Sequence, residues 1–529
     1  MMKNLLQTFF YLGFLVMLTS CQQKEASPAP DNHVPSFSKS YKAPVFEKDH
    51  RIEKIKKIAP ELHQLITDHA RARHIPGIAY GIVVDNELVI ASGTGFIDLD
   101  TELPATSTSS FRIASMTKSF TAMAILKLRD EAKLSLNDPV SRYIPEMSQL
   151  EYLTADSPTI TIENLLTMTA GLPEDNPWGD RQLDESDQML IDLVAEGLSF
   201  SNPVSYQFEY SNTNYALLGH IISKVSGIPF QQYIKQNILE PLGMEQTYWE
   251  YDSVPKEQLV KGYRWEDDQW KPEPMLHDGS FGSMGGLITS IEDFSKYVSF
   301  QLSAWPPRNE QDTGPVKRAS LREMQTPKFS DVNANAIDFK GDTCAAISGY
   351  GYGLGIAKYC NGLKRVGHGG ALPGFGSNYA FFPEYGVGIM AFCNLTYTTP
   401  YPYQYIGKLL FETVKLEARK LPVSDILRER KEQVTQLIRQ WDPELETKIL
   451  GENFYLDQSR DRRIKDAQEK LEKAGKIDSI GEMDAYNQLR GTYEIHAENG
   501  VIEVYFDLTP EKYPKVQSVD LELKLNKTK

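Results

Sequence analysis

Cysteine is scarce in this chain: Cys21, Cys344, Cys360 and Cys393 are the only four among 529 residues, too few for a disulfide-rich scaffold. No Cys/His spacing matches a metal site, and neither a metal nor any other cofactor is expected. Basic residues are outnumbered, 56 against 71 acidic, for a formal net charge of −15. That balance argues against a nucleic-acid surface, which needs a basic patch, and most of the charge reads as an aid to solubility. Long apolar runs are also missing. Leu5 to Leu18 is the longest, it is too short for a stable transmembrane helix, and no other segment approaches that length.

What the N-terminus does have is Lys3, that apolar run, and then Leu18-Thr-Ser-Cys21. A charged n-region, a short h-region and small residues before a cysteine form an export signal. Leu-Thr-Ser-Cys resembles the bacterial lipoprotein box, which implies a signal peptide over residues 1–20 and lipidation at Cys21. Acyl chains contribute about 0.8 kcal/mol per buried methylene, so a multiply acylated Cys21 would tether the protein to a membrane without spanning it. Residues 21–50 are polar, carry Pro28, Pro30, Pro35 and Pro44, and read as a flexible tether. The expected location is the bacterial cell envelope, lipid-anchored, at the periplasmic or outer-membrane face. An oxidising periplasm allows one bridge among the other three cysteines. Cys344 and Cys360 flank a Gly/Tyr-rich stretch that suits a hairpin, and the sequence leaves their bridged and free states open.

Three short elements carry the chemistry. Phe111-Arg-Ile-Ala-Ser115-Met-Thr-Lys118 sets a serine and a lysine three residues apart at the start of an apolar helical run, so both lie on one face. The amine can take the hydroxyl proton if its surroundings depress the lysine pKa. Tyr210-Ser-Asn212 precedes a second apolar helix, and His368-Gly369-Gly370 falls in an alternating strand pattern. Ser36/Lys39 and Ser253/Lys256 repeat the first spacing, but one lies in a Pro-rich segment and the other contains Pro255. Tyr359-Cys-Asn361 and His277-Asp-Gly279 repeat the other two. Singly, Tyr210 also fits a core tyrosine, Asn212 a helix cap and His368 a satisfied strand histidine. The weight rests on the three elements in order, each in the local structure its role requires.

In these motifs the chain resembles the class C β-lactamase and D-alanyl-D-alanine carboxypeptidase family of penicillin-recognising serine hydrolases. Residues 111–146, 160–173, 208–247 and 283–294 agree with it, and the resemblance covers roughly residues 55–410. Met168-Thr-Ala-Gly171 stands where many relatives have His-Thr-Ser-Gly, a departure that looks structural. The β-lactamases usually carry lysine where this chain has His368, which weakens the case for antibiotic hydrolysis. The resemblance implies an acyl-enzyme at Ser115 and proton transfer by Lys118 and Tyr210. It also implies Asn212 orienting the substrate amide, and an oxyanion hole from the backbone N–H groups of Ser115 and Ala371. Gly369 and Gly370 let the strand edge approach the substrate, and His368 offers a hydrogen bond or a positive charge to a substrate carboxylate.

The implied fold class is α+β: a β-lactamase/DD-peptidase-like antiparallel sheet flanked by helices, a mainly helical subdomain, and a small C-terminal accessory module. The hydrolase domain is expected over residues 51–421. It holds a helix from Glu53 to about Ala72, strands split at Asp85-Asn86, a mainly helical stretch over residues 111–300, strands over 348–396 and a closing helix over 401–419. Residues 422–529 form the accessory region, with two or three amphipathic helices to residue 478, then strands with a hairpin turn at Asn499-Gly500. The substrate is a small molecule or peptide with an ester or amide carbonyl. A D-Ala-D-Ala carboxypeptidase-like or D-amino-acid peptidase of the envelope leads, with a carboxylesterase as the alternative. A β-lactamase and a penicillin-binding sensor with little turnover follow. The sequence leaves the oligomeric state open.

Overall fold

A computed structural model describes residues 41–526; Cys21, the signal segment and most of the tether lie outside them. Within the described chain, contacts separate two units, 42–422 and 423–526.

The larger unit is built on nine antiparallel strands: β1 (Gly77–Val84), β2 (Glu87–Asp98), β3 (Leu103–Pro104), β4 (Phe329–Asn333), β5 (Ala346–Tyr350), β6 (Gly355–Tyr359), β7 (Lys364–Leu372), β8 (Phe375–Phe382) and β9 (Val387–Cys393). Their order is β3-β2-β1-β9-β8-β7-β6-β5-β4, so the first and last parts of the domain meet where β1 pairs with β9. All eight residues of β1 are buried, because both faces of the sheet are covered. Ile78, Tyr80, Ile82 and Val84 face helices α1 (Arg51–Lys57) and α2 (Ala59–Ala72), through Ile55, Leu62 and Ile66. Ala79 and Val83, one step out of phase, join the core formed with Phe120 of α3 (Lys118–Asp130), Leu217 of α4 (Asn212–Ser226) and Phe294 of α5 (Ile291–Leu302). Helix α3 buries ten of its thirteen residues, the mark of a helix packed on all sides. Lys118, its first residue, is thereby placed inside the core.

Several boundaries differ from the sequence-based expectation. The single helix from Glu53 is two helices broken at Ile58, because Pro60 has no N–H to donate and its ring opposes a continuous turn. The closing helix covers Tyr403–Thr413, its last turn wide, and ends before Lys415, which has φ 52°. Strands return earlier than expected, with β4 added at the sheet edge by a largely exposed segment whose pattern carries no strong strand signal.

Cys344 and Cys360 form a disulfide, and Cys393 is free and buried. The bridge ties the segment leading into β5 to the end of β6. Closing a loop of this size removes about 3 kcal/mol of chain entropy from the unfolded state. Replacing both cysteines by alanine is expected to lower the midpoint of thermal unfolding, and a reducing agent should reproduce that shift in the parent chain.

The smaller unit has four helical segments where two or three were expected: α6 (Asp425–Arg439), Pro443–Ile449, Phe454–Asp457 and α7 (Arg460–Ala474). A five-stranded antiparallel sheet follows: β10 (Ile477–Ile480), β11 (Asp484–Asn487), β12 (Arg490–Ala497), β13 (Gly500–Leu508) and β14 (Val516–Leu525). Asn499 stands in the β12–β13 turn, as the Asn-Gly signal indicates. Leu427, Val434, Phe454, Ile495, Ile502 and Phe506 belong to a core of its own.

Candidate active site

Ser115 sits one turn before α3, in a tight 3₁₀ turn Ala114–Thr117; the regular helix begins at Lys118. Ala114 is left-handed, with φ 50°, a conformation that costs a non-glycine residue roughly 1 kcal/mol and persists only where its neighbours enforce it. The neighbours do so here. The Ile113 N–H donates to the Leu287 carbonyl at 2.9 Å, the Ser377 hydroxyl donates to the Ile113 carbonyl at 2.7 Å, and the Leu287 N–H donates to Thr117 Oγ1 at 3.2 Å. Strand β8 and the loop before α5 thus hold the serine turn from two sides.

Lys118 is completely buried. Its Nζ lies 3.0 Å from Ser115 Oγ, 2.7 Å from Asn212 Oδ1 and 2.9 Å from the Met284 carbonyl. Burial pushes its pKa down to about 7, against the upward pull of Asp180 and Asp175. A neutral amine has two N–H donors and one lone pair. The Asn212 and Met284 oxygens take the donors, which leaves the lone pair to Ser115.

The Tyr210 hydroxyl faces Ser115, and the Lys118 Nζ stands 5.0 Å from the tyrosine ring centroid. Burial pushes the Tyr210 pKa well above its usual value, so the phenol keeps its proton and is suited to donate it. Asn212 opens α4 fully buried, its amide Nδ2 donating to Asn176 Oδ1 at 3.1 Å. Its Oδ1 accepts from Lys118 at 2.7 Å, and the amide nitrogen keeps a second N–H beyond the one given to Asn176.

Ser115, Tyr210, His368, Gly369, Gly370 and Ala371 line one cleft of about 460 Å³. His368 lies within hydrogen-bond distance of the Tyr350 hydroxyl, 3.0 Å from Nε2, and of the Gly369 carbonyl through Nδ1. Since a carbonyl only accepts, the proton sits on Nδ1 and Nε2 accepts from Tyr350. Burial and the nearby Lys118 push His368 down to about 4, so the ring is neutral near pH 7. Gly370 is where β7 touches the serine turn: a Cβ there would stand 2.3 Å from both the Ile113 carbonyl and Ser377 Oγ. Gly370→Ala is expected to displace the turn and slow acylation at least tenfold. Gly369→Ala, whose Cβ would be 3.1 Å from Asn378 Nδ2, should do less. Burst kinetics on the two variants compare them.

Sequence reasoning missed the loop that completes the site. Asp175 accepts from the N–H groups of Asn212 at 2.6 Å and Thr213 at 3.0 Å, and from the hydroxyls of Ser211 at 3.1 Å and Thr213 at 2.7 Å. A carboxylate thus caps α4 from 37 residues away. Asp180, 2% exposed, also lines the cleft, and burial raises its pKa. Local spacing gives no sign of either role, because both depend on contacts with distant segments.

Sheet, serine turn, buried lysine and facing tyrosine together are those of a serine hydrolase family, and the chain belongs to it: the family model described as Beta-lactamase matches residues 62–409. Protein flp of Staphylococcus aureus (strain MW2) is 30% identical over 381 residues, 70% of each chain. Beta-lactamase-like protein 2 of Dictyostelium discoideum is 27% identical over 461 residues, 84% of this chain and 76% of its own. In fold, the chain is similar to the octameric penicillin-binding protein homologue from Pyrococcus abyssi, with a TM-score of 0.56 at 23% identity, covering 88% of this chain and 98% of that one.

Proposed function

We propose that this protein is a serine hydrolase that forms an acyl-enzyme on Ser115, anchored in the cell envelope through Cys21. The observation that carries the reading is the threefold contact of Lys118 Nζ, which leaves a neutral amine one direction in which to accept a proton, toward Ser115 Oγ. As Oγ attacks an ester or amide carbonyl, its proton passes to Lys118. The oxyanion is received by the backbone N–H groups of Ser115 and Ala371. Tyr210 hands its proton to the leaving alcohol or amine and is reprotonated from Lys118. Water then releases the acid by the reverse of these transfers. The Cys344–Cys360 bridge supports an exported protein, since such bonds persist in oxidising compartments.

Among the substrate classes, the cleft favours a D-amino-acid peptidase or a carboxylesterase over a carboxypeptidase or a β-lactamase. The latter two must hold a free substrate carboxylate, yet among the described residues no Lys or Arg lines the cleft, and His368 is neutral near pH 7. The test is rapid mixing of the chain with p-nitrophenyl acetate. One p-nitrophenolate released per chain in a burst, with an acetyl increment in intact mass, is expected. Release without a burst or adduct under rapid quench would remove the acyl-enzyme reading.

A further inference from the structure

Asp180 is a carboxylate at the substrate cleft with no ion pair among the described residues. It follows the short helix Asn176–Gly179, is 2% exposed, and shares the cleft wall with Ser115 and His368. The Tyr397 hydroxyl faces it. The charged groups around it are Lys118, Asp175 and Glu174. Lys118 is committed to Ser115, Asn212 and Met284, and the other two are acids. The neighbouring Arg181 reaches Glu273 at 3.8 Å instead. A buried carboxylate left in this state is costly unless something pairs with it. The rest of the lining is neutral and hydroxyl-rich, with the rings of Tyr210, Tyr397 and Tyr403 on the cleft wall. Among the described residues, one carboxylate, three tyrosines and no lining Lys or Arg make a surface that accepts a cation, by charge-assisted hydrogen bonds and by attraction to the ring faces.

We propose that Asp180, with the tyrosines of the cleft wall, binds a protonated amine on the substrate, so that the substrates of this protein are amino-acyl esters, amides or peptides with a free amino group. The proposal rests on the serine-hydrolase reading for what happens after binding, while the recognition itself is separable. Asp180 is thus a specificity residue, and the burial that raises its pKa is offset once an ammonium is seated beside it.

The test is equilibrium binding by calorimetry at neutral pH to the full chain carrying Ser115→Ala, which cannot turn over its ligand. D-alanine p-nitroanilide is compared with N-acetyl-D-alanine p-nitroanilide and with the p-nitroanilide of D-lactic acid, in which a hydroxyl replaces the ammonium. The ammonium ligand should bind at least tenfold more tightly than either neutral one, in keeping with a hydrogen bond to a charged group. Adding Asp180→Asn should remove that difference. Equal affinities in the Ser115→Ala chain, or binding of none of the three, overturn the proposal without any second variant. A preference that survives Asp180→Asn also overturns it. Turnover of p-nitrophenyl acetate by the parent chain reports separately on the hydrolase reading, so either can fail while the other stands.

Discussion

Ser115→Ala is expected to abolish the burst and to reduce steady-state ester hydrolysis by about 10⁴-fold or more, the scale of losing a nucleophile whose partners act as a unit. The variant should fold as the parent does. Ser115 contributes one hydroxyl to a turn held chiefly by the Ile113–Leu287, Ser377–Ile113 and Leu287–Thr117 bonds, none of which involves its side chain. The measurement is a pair: unfolding temperature and burst amplitude. Unchanged hydrolysis in the alanine variant would move the nucleophile elsewhere. A collapsed unfolding temperature would mean that lost activity says nothing about chemistry, and Ser115→Cys would then serve, since it keeps a nucleophile of nearly the same size.

Lys118→Ala is the second large effect, with acylation expected to fall about 10³-fold, within the range for removing a positioned general base. This variant also removes the partner of Asn212 Oδ1 and the Met284 carbonyl, so some loss of stability accompanies it. The pH profile of the parent chain isolates the proton-transfer role. Burial lowers Lys118 to about 7, and the amine is a base only when unprotonated. Acylation by a neutral ester should therefore be flat above pH 7 and fall about tenfold per unit below it. Asp180 pulls the lysine pKa upward, so Asp180→Asn should move the midpoint to lower pH. A profile with no inflection between pH 5 and 9 would exclude a buried lysine as the base.

Much of the site was legible from spacing. Ser115 and Lys118 are three residues apart and sit on neighbouring turns, so local geometry alone brings them together. His368, Gly369 and Gly370 fall on β7 because alternation over residues 364–372 marks a strand. The prolines that broke the decoy motifs act within a single turn and can be read directly, whereas Pro60, which splits α1 from α2, was passed over although its effect is equally local. Asn212 was found as a residue before a helix, while its contacts with Lys118 and Asn176 depend on packing that the spacing does not carry. Asp175 and Asp180 escaped notice because a carboxylate that caps a helix 37 residues on, or stands beside a lysine 62 positions away, leaves no periodic trace.

By itself the sequence determined the helices and strands with strong periodicity, the order of the three motifs, and the excess of acid over base. These follow from local sterics and from counting. The tertiary structure alone decided that burial pulls Lys118 and His368 below their usual pKa values, that Cys344 meets Cys360, and that the cleft carries a carboxylate with no Lys or Arg in its lining among the described residues. The reason is common to all four. A group's charge depends on how much water its neighbours exclude and which oxygens they aim at it, and a disulfide depends on two strands meeting. For Lys118 those neighbours, Asn212 and Met284, lie 94 and 166 residues away.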